Sequence, residues 1–148
     1  MTECTVSCLS TIPSDHPAID AVRCLFPEEP ITVRNLIERA VREQCETLSI
    51  RYAEDIARAA EQMARQYLTA DEIAAARAAG RVALRDPALY GVSVLDVDAE
   101  IRRACQAFSD RNLMIVVGEA RCGALDDTVT LGIDRPVQFV RMVPLVGG

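Results

Sequence analysis

Val137-Gln138-Phe139-Val140-Arg141-Met142-Val143, followed by Pro144-Leu145-Val146-Gly147-Gly148, sets the architecture of this chain. Alternation separates Val137, Phe139 and Val143 from Val140 and Met142, the pattern of a strand with two different faces. The two glycines beyond it have no side chain and few backbone restrictions, and can lie extended in a channel too narrow for any other residue. An enzyme acting on a main-chain carboxylate needs such a channel. If the Val137 set is core, Val140 and Met142 form an apolar patch beside the tail, continued as a docking segment by Pro144, Leu145 and Val146. In the other arrangement both faces are covered, one of them by helices.

Working outward, Leu113 to Val117 is a continuous apolar strand, Gly118-Glu119 a turn and Asp126-Asp127 another, with the acids acting as turn caps. At the other end, Thr5 to Ile12 alternates with Cys4, Val6, Cys8 and Ile12 on one side. Pro13-Ser14-Asp15-His16-Pro17 is turn chemistry, and Ile19 to Phe26 is a second strand, so the two form a hairpin that Pro27 and Pro30 close. Thr32 starts a helix: its hydroxyl can accept from a first-turn amide while Ile31 packs on Leu36. Val33, Leu36, Ile37, Ala40, Val41 and Leu48 recur at helical spacing, and the pattern continues or restarts near Ser49 through Ala53, Ile56, Ala60, Ala64 and Tyr67. Thr69 to Glu72 is a capping box opening a third stretch through Ile73, Ala76, Ala83 and Leu84, which Asp86-Pro87 closes. Ile101, Ala104, Cys105 and Phe108 share one face of a short helix capped by Asp96 or Asp98. Sheet residues thus flank a helical middle, which predicts a single α+β domain over residues 1–148 with strands from both ends in one sheet.

At 148 residues the chain is long enough for one core. It has no run of 18 apolar residues and no signal-like start, so a cytoplasmic protein without a membrane partner is expected. In that reducing compartment the six cysteines are free thiols, and with one histidine and no C-x-x-C spacing neither a metal site nor a cofactor is expected. Net charge is −6, and the first thirty residues carry five acids against one arginine, which disfavours nucleic acid. Every basic residue is arginine; there is no lysine.

The order of these signals resembles the ubiquitin-like β-grasp family, including the sulfur carriers of thiamine and molybdopterin synthesis. The matching residues are Thr32-Val33-Arg34-Asn35-Leu36-Ile37, Gly118-Glu119, Leu125-Asp126-Asp127-Thr128-Val129-Thr130-Leu131, and Val137-Gln138-Phe139 through Gly148. The match covers roughly residues 1–45 and 111–148. Between them lies a departure from the family, a long insertion over about 46–110, too long for a structureless loop and patterned as helices. Its own caps and periodicity make it an addition to a grasp core rather than part of one.

The resemblance implies a substrate, not an enzyme. The Gly148 carboxylate, led by Gly147, would be adenylated by a separate activating enzyme. It would then pass as a thioester, with a conjugating enzyme and a deconjugating protease as further partners, to a target amine. The chain is then a protein modifier, and the absence of lysine suits one that builds no lysine-linked chains on itself. In the second reading a sulfurtransferase converts Gly148 to a thiocarboxylate and the chain is a sulfur carrier. In the third it is an interaction domain that is never conjugated. A cysteine hydrolase built on Cys4, Cys8 or Cys24 with His16 is the enzyme alternative.

Overall fold

Two segments far apart in sequence close on each other at Thr32. In the computed structural model, which describes residues 2–10, 19–27, 30–79 and 94–142, helix α1 (Val33–Arg51) takes Thr32 as its N-cap. The Asn35 amide donates to the Thr32 hydroxyl at 3.2 Å, and Asn35 Oδ1 accepts in return from the Thr32 amide, also at 3.2 Å. The first-turn amides of Val33 and Arg34 donate to the carbonyls of Asp127 and Leu125, each at 2.9 Å. Donors that a helix start leaves unpaired are therefore satisfied by the loop after Gly118, which holds two of the matched segments together. The same junction makes a small sheet, β3 (Ile31–Thr32) against β6 (Thr128–Val129).

The main sheet has five strands: β1 (Thr2–Ser10), β2 (Val22–Phe26), β4 (Leu113–Val117), β5 (Ala120–Arg121) and β7 (Val137–Arg141), in the order β2-β1-β7-β4-β5. β1 and β2 form the expected antiparallel hairpin, with Cys4 opposite Cys24. β7 lies between β1, to which it is parallel, and β4, to which it is antiparallel. Strands from both ends of the chain thus share one sheet. Gly118 turns β4 into β5 at φ +62°, a left-handed conformation that costs other residues more. Ile12, His16 and Val143 lie outside the described residues.

One face of the sheet is dry. Cys4, Val6 and Cys8 of β1, Cys24 and Phe26 of β2, Leu113, Ile115 and Val117 of β4, and Val137 and Phe139 of β7 are buried with Val33, Leu36, Ile37, Ala40 and Val41 of α1. Alternation fixed these faces, since a strand turns successive side chains to opposite sides.

The helical middle differs from expectation in two ways. α1 runs to Arg51, then Tyr52 to Asp55 form a turn in which Ala53 is exposed, and α2 (Ile56–Gln66) restarts with Asp55 as its cap. The break falls where Asp55 can accept from the Arg58 amide, at 3.3 Å, replacing continued helix with a fresh capped start. The second difference is larger. Ala59 and Met63 of α2, Tyr67 just after it, and Ala104, Ala107 and Phe108 of α4 (Val97–Ser109) belong to the same core as the sheet. Helices α2 and α4 are therefore part of the core, not an appendage to it. Helix α3 (Ala70–Ala79) sits outside them with its expected box: Glu72 N donates to Thr69 Oγ1 at 3.2 Å and Thr69 N to Glu72 Oε1 at 3.1 Å. Ala83, Leu84, Asp86 and Pro87 lie outside the described residues. No helix among those described is long and apolar enough to cross a membrane.

Candidate functional site

The face of the sheet turned away from α1 carries the candidate surface. Leu9 of β1 lies directly opposite Val140 of β7, which lies directly opposite Met114 of β4, so three apolar side chains form one row across three strands. Leu9 is 41 % exposed and Val140 and Met114 are half-buried. Met142, 37 % exposed, lies two residues beyond Val140, toward the tail. The neighbouring row along the same strands is Ser7, Gln138 and Val116, polar on β1 and β7 and apolar on β4. Of the docking residues read from sequence, Val140 and Met142 come together here; Pro144, Leu145, Val146, Gly147 and Gly148 lie outside the described residues. Leu9 and Met114 were missed. Their signal was apolar side chains at positions that alternation turned away from the core.

The root of the tail is clamped from the other side. Arg141 follows Phe139 on the core face and is 2 % exposed, and its Nη1 donates to the carbonyl of Arg65 at 2.7 Å. That carbonyl belongs to the last turn of α2, where a cation also meets the negative end of the helix dipole. Met142 N donates to Asn112 O at 2.9 Å, and Asn112 Nδ2 donates to Leu68 O at 3.0 Å. Gln66 Nε2 reaches Phe139 O at 3.3 Å. The end of α2, Leu68 and Asn112 therefore grip the strand that leads into the tail.

The thiols of Cys8 and Cys45 are held in their protonated form. All six cysteines are free, with Cys4, Cys8, Cys24 and Cys45 buried. Burial pushes Cys8 up to about 12, against hydrogen bonds from Tyr67 and Gln44 and the charge of Arg141 that draw it down. Burial likewise pushes Cys45 up to about 12. Such thiols stay protonated at neutral pH and attack poorly. Asp127 caps its turn as expected, accepting from the Ala124 amide at 3.0 Å. No group of His, Cys, Asp and Glu among the described residues could hold a metal ion. A concavity of about 330 Å³ lies between Glu3, Thr5, Ser7, Arg23 and residues Ile133 to Pro136, with Arg23 paired to Glu3 at 2.5 Å at its rim.

Searched against models of protein families, curated proteins and solved structures, the chain matches none of them.

Proposed function

We propose that this chain is a ubiquitin-like β-grasp protein whose Gly147-Gly148 carboxylate is activated by a partner enzyme and transferred to a target as a protein modifier. The observation that carries the reading is the row Leu9–Val140–Met114 on the sheet face turned away from α1. It lies on the strand that runs into the tail, so a partner seated on the row would have the terminal glycines within reach. Two further features support it. Strands from both ends of the chain share one sheet across α1, as the resemblance implies, and the matched segments at Thr32 and Leu125 to Asp127 are joined by backbone hydrogen bonds.

In this reading the carboxylate oxygen of Gly148 attacks the α-phosphate of ATP and pyrophosphate leaves, giving an acyl adenylate; a thiolate of the partner then displaces AMP. The protein's own part is to present the tail. Its β7 strand is held by β1, β4, Arg65 and Asn112, while the glycines offer no side chain to the channel.

The test is incubation with ATP, magnesium and an adenylating enzyme encoded beside this chain, read by intact mass. An adenylate and then a thioester ending at Gly148 is the expected result. Removing Gly148 withdraws the carboxylate by about 3.5 Å and should abolish it. A thiocarboxylate, heavier by the difference between sulfur and oxygen, would make the chain a sulfur carrier instead. Charging of the shortened chain at the full rate would return it to the interaction-domain reading.

A further inference from the structure

Cys4 and Cys24 face each other across the hairpin in direct register, Cα partner to Cα partner, in an antiparallel ladder. Directly opposed residues in such a ladder have Cα atoms about 4.5 or 5.5 Å apart depending on the hydrogen-bonding position. Both spacings fall within the roughly 4.4–6.8 Å that a disulfide spans. The two side chains leave the same face, since both are buried in the core, at 2 % and 0 % exposure. Each thiol is close enough to shift the acidity of the other.

We propose that Cys4 and Cys24 are a redox pair, closing to a reversible cross-strand disulfide when a peroxide oxidises the protein and so stapling β2 to β1. The Cys4 sulfur attacks one oxygen of the peroxide, breaking the O–O bond and releasing water, or an alcohol from an organic peroxide. The Cys24 sulfur then attacks the resulting sulfenic sulfur and a second oxygen leaves as water. Two thiol hydrogens and two electrons pass to the peroxide, and one S–S bond forms.

Cys24 sits beside Cys4 and eases the loss of its proton. Cys4 is the one cysteine held below its usual range, first by the hydrogen bond from Cys24, while Cys24, Cys8, Cys45, Cys105 and Cys122 are all pushed up. The thiolate, not the thiol, is the nucleophile. β2 is at the edge of the sheet, the position from which local opening admits a small oxidant most readily. No other cysteine has a thiol opposite it in the ladders described.

The folded wild-type chain is treated with hydrogen peroxide, its remaining thiols are alkylated in denaturant, and it is cut with trypsin. Because the chain has no lysine, trypsin separates residues 1–23, which hold Cys4 and Cys8, from residues 24–34, which hold Cys24. The expected product is these two peptides joined, with fragmentation placing the bond on Cys4 and dithiothreitol releasing it. Cys8→Ala should still form it. The oxidised protein should melt higher by roughly 10 °C, since the bond closes a loop of the unfolded chain. Recovery of Cys4 and Cys24 both alkylated, a bond from Cys8, or a melting point unchanged or lowered overturns the proposal. The wild-type peptide map decides alone, so the result does not depend on a Cys24→Ala variant that opens a hole in the core.

Discussion

The phenolic hydroxyl of Tyr67 donates a 2.6 Å hydrogen bond to Oε1 of Gln44, and neither side chain has any exposed surface. Gln44 in turn donates to Cys8 Sγ at 3.2 Å, so a residue just after α2 is tied through α1 to the first strand. Tyr67→Phe keeps the ring and leaves Gln44 Oε1 buried without this partner. The expected loss is about 1–3 kcal/mol of stability with the fold retained, read from denaturant unfolding. A variant as stable as the wild type would mean that water replaces the hydroxyl.

Met63 of α2 is fully buried in the sheet's core. Met63→Ala should cost about 2–5 kcal/mol, the range for large-to-small changes in packed cores. Replacing 49–110 by a flexible linker removes Met63, Tyr67 and Phe108 together and should leave a molten or aggregated product. A cooperative melt of that shortened chain would show that the sheet and α1 suffice.

Helix α4 ends in a Schellman turn without its usual glycine. Asn112 N donates to Ala107 O at 2.9 Å and Arg111 N to Phe108 O at 3.1 Å, with Arg111 at φ +64°. An L side chain in that conformation costs about 1–2 kcal/mol, part of which a glycine gives back as backbone entropy. Arg111→Gly should therefore stabilise the protein by up to about 1 kcal/mol, visible as a higher melting temperature.

Glu100 is 8 % exposed, and burial raises its carboxyl above the ordinary value of 4.5, with the opposing pull of Arg103 at 3.0 Å smaller than that cost. A carboxyl easier to protonate when folded binds more protons in the native state, so its contribution to stability falls as pH rises from 4.5 through the raised folded value. Glu100→Gln is neutral throughout. Its melting temperature relative to wild type should climb across that window and level off above it; a difference independent of pH would contradict the burial account.

The surface row makes a separate prediction. Leu9→Glu changes a 41 % exposed position and should shift stability by no more than about 0.5 kcal/mol. On the proposed function the same change should abolish charging by the partner enzyme, because it sets a carboxylate at the β1 end of the apolar row. Charging at the wild-type rate would move the docking surface elsewhere.

What could be read before the structure was whatever local chemistry dictates. Thr32, the Thr69–Glu72 box and Asp96 mark helix starts because a cap works through residues three positions away. Cys4, Val6, Cys8, Val137 and Phe139 declared one face because strand period is two. Alternation does not say which face a helix will cover, so Leu9 and Met114 stayed invisible as a surface. The pairing of Ile31 with Val129 and Thr32 with Thr128 is made by backbone groups and leaves no side-chain signature. Met63 and Tyr67 looked like the apolar side of any helical stretch, and only their contact with the sheet made them core. The Gly147-Gly148 tail, the strongest signal in the sequence, is the part of the candidate site outside the described residues.

The parallel pairing of β1 with β7 has a mechanical meaning. Traction applied behind Arg141 against resistance before Thr2 draws the two strands lengthwise past each other, so the hydrogen bonds from Val6 to Ser10 with Val137 to Arg141 take the load together. Bonds strained in shear yield collectively, whereas an antiparallel hairpin pulled from its open end unzips one rung at a time. Pulled between its two ends, the protein would therefore resist at this seam, and the grip of Arg141 on Arg65 stiffens it further.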